Sequence, residues 1–124
     1  MNKQTEEMTL EIREVTATTL RLLGLSGAYK GFGYLIYGVE QAIADPSILT
    51  FVCKEFYPAI AREFETTSQC AERNIRTARK VIWRHGKVSL REEIFGELYQ
   101  DAMPDNKNFV DVLKDYIEGQ VKKR

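Results

Sequence analysis

The chain has 124 residues, 44% hydrophobic and 29% charged, and its 18 basic and 18 acidic side chains cancel. That is the size and composition of one globular domain, outside the range of disordered chains. No apolar run approaches the roughly 20 residues of a bilayer-crossing helix, and acids stand where a secretion signal needs an apolar stretch.

Apolar residues recur at intervals of three and four, so the chain reads as all-α, a compact multi-helix domain. A first helix is expected over residues 6–23, closed by Gly24, and a second over residues 32–44 after the turn SGAYKG. Asp45 and Pro46 end the second and start a third, to about Phe56. Pro58 suits the first turn of a short fourth helix, YPAIAREF, where a proline forfeits only a donor without a helical partner. Thr66 and Gln69 have capping-box spacing for a fifth helix, which Gly86 ends after His85. Ser89 and Glu92 repeat the spacing for a sixth, to about Tyr99. A seventh covers residues 106–122, with Phe109, Val112, Leu113, Tyr116 and Ile117 inward. Residues 1–8 read as a tail or the start of the first helix, 9–121 as the folded domain and 122–124 as a basic tail.

The neutral total hides a segregation. Residues 66–87 carry Arg73, Arg76, Arg79, Lys80, Arg84 and Lys87 against one acid, Glu72, a net +5, while residues 88–118 carry eight acids and three bases, a net −5. On the fifth helix Ala71, Ile75, Ala78 and Ile82 form an apolar stripe about 60° wide, with Gln69, Arg73, Arg76, Lys80 and Arg84 on the opposite face. Glu72, Arg79 and Trp83 fall on a flank.

The plain reading is a solvated helix with Glu72 and Arg76 paired at i,i+4. Two features argue for more. A short helix, a tight turn and a longer helix make a central helix-turn-helix, whose second helix enters the major groove of DNA. Gln69, Glu72, Arg73 and Arg76 also cluster in the first turns of that helix. Arginine offers two donors to guanine, glutamine bridges the adenine edge, and glutamate accepts from cytosine. An acid among arginines weakens simple attraction to phosphate, and makes sense if it reads a base or orients an arginine. Thr66, Thr67 and Ser68, beside the free amides of the helix start, suit a phosphate.

The stretch T-T-x-x-x-x-E-R-x-I-R-x-A-x-x-V-x-W-x-x-G, met by Thr66, Thr67, Glu72, Arg73, Ile75, Arg76, Ala78, Val81, Trp83 and Gly86, resembles the C-terminal effector domain of the sporulation master response regulator of endospore-forming Firmicutes, the stage 0 sporulation protein A family. The likeness extends to K-G-x-x-Y-L from Lys30, to Y-P-x-I-A-x-x-F from Tyr57, and to the P-x-N-x-x-F of Pro104, Asn106 and Phe109. It implies an all-helical module that binds short promoter boxes in double-stranded DNA, as a homodimer or as tandem head-to-tail copies. It also implies base contacts from Glu72, Arg73 and Arg76 and a backbone contact from Lys30; Lys80 and Arg84 are expected on the backbone as well. The family's prototype has arginine and serine where this chain has Cys70 and Gln69, so box preference is expected to differ. Full family members carry a receiver domain before the effector, and residues 1–20 are too short to hold one.

The remaining features have structural explanations. Gly24, Gly27, Gly31 and Gly33 match no phosphate-loop pattern and are expected in caps and close packing. Tyr29, Phe32, Tyr34 and Tyr37 wind around a helix rather than forming a stacking platform. His85 lacks partners at metal-ligand spacing. Cys53 and Cys70, 17 positions apart, make neither a disulfide framework nor a zinc site and are expected as reduced thiols. No triad or paired catalytic acids emerge, so the chain is not expected to be an enzyme, and neither cofactor, metal nor small-molecule substrate is expected. The expectation is a cytoplasmic, nucleoid-associated transcription regulator without a membrane partner. The competing expectation is a protein-interaction adaptor, or an antagonist of the two-domain regulator, engaging a partner through its acidic segment.

Overall fold

The computed structural model describes residues 3–99 and 102–123. Met1, Asn2, Gln100, Asp101 and Arg124 lie outside it, and with them the outer ends of both expected tails and one acid of the acidic segment. The described residues form six α-helices and no strand: α1 (Lys3–Leu22), α2 (Lys30–Ala44), α3 (Tyr57–Glu63), α4 (Ser68–His85), α5 (Val88–Phe95) and α6 (Asn106–Lys122). The expected fifth helix is α4. None of them is long and apolar enough to cross a membrane.

Helix α2 is the hub, packing against α1, α4 and α6. Its hydrophobic face supplies Phe32, Leu35, Val39 and Ala42 to a core completed by Leu20 and Leu23, by Ile60 of α3, by Ala71, Ile75, Ala78 and Ile82 of α4, and by Phe109, Leu113 and Ile117 of α6. Two buried threonines of α1 satisfy their hydroxyls locally, Thr16 donating to the Ile12 carbonyl at 2.6 Å and Thr19 to that of Val15 at 2.7 Å. Gly24 closes α1 as expected. Its φ of 94° is a conformation glycine adopts freely, and the Leu25 and Gly24 amides donate back to the carbonyls of Leu20 and Arg21.

Three expected elements come out differently. The third helix is instead a 3-10 turn, Pro46–Leu49, and a π turn, Val52–Phe56, running into α3. In a continuous α-helix the Pro58 ring would strike the Lys54 carbonyl, and the wider π turn just ahead makes room. The cap of α4 is Thr67, not Thr66. The Thr66 amide is taken by the Ala61 carbonyl in closing α3, while Thr67 has extended backbone and its Oγ1 accepts from the Cys70 amide at 3.0 Å. Finally, α5 starts after Lys87 without a side-chain cap and stops at Gly96, whose φ of 77° turns the chain into a 3-10 turn, Glu97–Tyr99. On α6, Phe109, Leu113 and Ile117 are buried as expected, Val112 and Tyr116 are half-buried, and Val110 joins the core.

Candidate nucleic-acid interface

Helix α4 follows α3 after residues 64–67. The turn closes with the Phe64 and Thr66 amides donating to the Ile60 and Ala61 carbonyls, and it passes through Glu65 at a left-handed φ of 52°. The inner stripe of α4 is apolar, and its Ala71, Ile75, Ala78 and Ile82 are all fully buried. At Gly31 the missing side chain lets α2 cross α4 closely, since a Cβ there would strike the Asn74 carbonyl and stand 2.9 Å from the Ala78 methyl. The close crossing fixes which side of α4 faces out.

That outer side carries Gln69, Arg73, Lys80 and Arg84, all exposed, with Glu72 and Arg76 half-exposed beside them. Arg76 Nη1 lies 3.3 Å from Glu72 Oε1, with the two side chains 43% and 36% exposed, so the pair is a surface bridge with both partners open to a ligand. Bridges of this kind are worth about 0.3–0.5 kcal/mol. At the head of the helix Thr67 is exposed and Ser68 half-buried, and the first-turn amides have no intrahelical acceptors. Lys30 opens α2 at this end and shares a cleft of about 440 Å³ with Tyr29, Tyr34, Phe64, Glu65 and half-buried Thr66. At the other end Lys80 and Arg84 flank a cleft of about 360 Å³ with Trp83 and Met103. The ten residues singled out in the sequence thus lie along α4, in the turn just ahead of it and at the start of α2 next to its head.

Arg79 does not join them. It is 8% exposed and turned inward, its Nε donating to Asn106 Oδ1 and its Nη1 to the Pro104 carbonyl, both at 2.5 Å. Burial pulls its pKa below the ordinary guanidinium range, while Asp105 pulls the other way. Asn106 in turn donates to the Tyr57 hydroxyl at 3.0 Å and to the Glu72 carbonyl at 3.1 Å. Burial raises the Tyr57 phenol. The flank position of Arg79 hinted at this fate, but its acceptors, Asn106 at the start of α6 and Pro104 in the loop ahead of it, are 27 and 25 residues away. Trp83 packs edge-on against Phe95 and Phe109, with its Nε1 donating to the Tyr99 carbonyl at 3.2 Å.

Cys70 lies under the exposed face, half-buried, with Asn74 Nδ2 3.2 Å and the Tyr34 hydroxyl 3.8 Å from its sulfur. A hydrogen bond from Thr66, then one from Tyr34, with Lys30 and Arg73 nearby, bring the thiol below its ordinary pKa.

The family model described as sporulation initiation factor Spo0A C terminal matches residues 16–117 of this chain. The chain belongs to that family. It is an effector domain of the sporulation response-regulator type, in a family of DNA-binding domains rather than of enzymes. The match ends inside α6 and begins midway along α1, whose first turns, with exposed Met8 and Leu10, precede it.

Proposed function

We propose that this member of the Spo0A C-terminal family is a sequence-specific regulator in which α3 and α4 act as a helix-turn-helix and α4 enters the major groove. Arg73 and Arg76 donate to guanine edges, Gln69 meets an adenine, and Glu72 accepts from cytosine or holds Arg76 in register through the 3.3 Å bridge. Lys30, Lys80 and Arg84, with Thr66, Thr67, Ser68 and the first-turn amides, hold the backbone. The protein acts on the bacterial nucleoid, as a dimer or in tandem copies.

The observation that carries this reading is the geometry of α4. Every reading side chain is open on one face while the opposite face is fully buried and clamped to α2. The acidic segment gives the adaptor reading less support. On α6 the acids Asp111 and Asp115 converge on Lys114 at 3.4 and 2.7 Å, and Glu118 on Lys122 at 3.8 Å. Burial alone would lower the Lys114 ammonium's pKa, but the two aspartates outweigh it and raise it, so the charge they face is held. Three of the eight acids are thus paired within α6.

Selection of bound DNA from a randomised duplex pool tests the reading. The wild-type chain should enrich one short motif and Arg76→Ala should lose it. Recovery of unenriched DNA, or capture of none, would defeat a sequence reader.

A further inference from the structure

We infer that Asn106 and Arg79, neither of which faces the groove, are positioning residues that set the register of the reading turn of α4. The inference rests on the major-groove reading proposed above. Asn106 is the first residue of α6 and is buried, yet its side chain crosses to the second turn of α4 and donates to the backbone carbonyl of Glu72. Glu72, Arg73 and Arg76 leave α4 from that turn.

The direction of the amide is forced. A guanidinium has donors only, so the Asn106 atom facing Arg79 Nε is the oxygen, and the NH2 must then face Tyr57 Oη and the Glu72 carbonyl. Arg79 is itself held in place by the Pro104 carbonyl. The path therefore runs Pro104, Arg79, Asn106, Glu72, and ties the loop ahead of α6 to the turn that carries the reading side chains. Among the described residues no carboxylate lies within ion-pair distance of Arg79. Burying a guanidinium against neutral acceptors is costly, and its two hydrogen bonds offset that cost only with both acceptors in place. What the arginine adds is direction: it orients the amide that grips Glu72. Recognition constellations need their side chains held to within about 0.5 Å by such supports.

Asn106→Asp separates the two halves of the network. The carboxylate still accepts from Arg79, and the Tyr57 hydroxyl can rotate to donate to it, but an oxygen now faces the Glu72 carbonyl. Affinity would be measured by fluorescence anisotropy on the motif enriched by the wild-type chain and on a scrambled duplex of the same composition. Circular dichroism and the urea midpoint report folding. The expected result is a folded protein whose preference for the motif falls by about tenfold, with affinity for the scrambled duplex and its salt slope unchanged. Tyr57→Phe, which leaves the Glu72 contact intact, should keep the preference. Should Asn106→Asp not fold, Arg79→Lys takes its place, since it keeps the charge but gives up one of the two acceptors, and the preference should fall again. A folded variant with wild-type preference, an equal loss on both duplexes, or loss of folding in both variants would overturn the inference. A wild-type chain that enriches no motif would instead overturn the groove reading beneath it.

Discussion

Glu65 sits in the turn between α3 and α4 with φ at 52°, where a side chain crowds its own carbonyl. Left-handed backbone costs a non-glycine residue about 1–2 kcal/mol, and a glycine there would return about 0.5–1 kcal/mol of that to the entropy of the unfolded chain. The balance favours Glu65→Gly by about 0.5–1 kcal/mol. Urea unfolding should show a higher midpoint at the same slope. A lower midpoint would mean that Glu65 makes a compensating contact in the folded state. The residues of the reading face separate by chemistry in the same way. Arg73→Ala and Arg76→Ala should each cost about 1–3 kcal/mol on the enriched motif and relax its sequence at one position. Lys80→Ala should weaken all duplexes alike. Equal losses on motif and scrambled DNA for all three would remove the distinction between reader and anchor.

Between elements, the decisive contact is the crossing of α2 over α4 at Gly31. In Gly31→Ala the new methyl meets the Asn74 carbonyl, which is helix backbone and cannot swing aside. Overpacking of this kind costs about 1–3 kcal/mol, visible as a lower thermal midpoint. Unchanged stability would mean that the helices part without penalty. How much of this was legible in the sequence follows from the range of the forces involved. The stripe of Ala71, Ile75, Ala78 and Ile82 is a periodic signal, so the orientation of α4 and its open face could be read directly. Caps set by neighbours in the chain, Gly24 and Gly86, were legible too. The start of α4 was misplaced by one residue because Thr66 and Thr67 are equally good caps locally, and only the bond from the Thr66 amide to Ala61 decides between them. Arg79 adds to the charge of its segment and falls on a flank of the helix, but its inward turn is not legible because its partners, Pro104 and Asn106, are distant in sequence. The resemblance flagged those two residues without giving their role. The π turn ahead of Pro58 follows from a clash that helical periodicity does not register.

For the whole molecule the question is how a chain of zero net charge associates with a polyanion. At physiological salt a charge is screened beyond about 8 Å, so DNA docked on α4 senses the face it touches and not the sum. Three cations, Lys30, Lys80 and Arg84, are assigned to phosphates, and each neutralised phosphate releases counterions to the extent of about 0.9 in the slope of log K against log salt. A slope near −3 is therefore expected for one copy on a scrambled duplex, flattening by about one in Lys80→Ala. Because the slope counts contacts rather than net charge, it should not change when an acid of α5 is neutralised, as in Glu93→Gln. The Tyr116 hydroxyl lies 3.5 Å from that carboxylate. Anisotropy titrations at several salt concentrations measure all three slopes. A wild-type slope near zero would mean that the basic face does not meet phosphate. A slope that steepens markedly in Glu93→Gln would mean that the acidic end of the molecule lies within a screening length of the duplex, and α4 would then have to cross the groove with α5 turned toward the DNA.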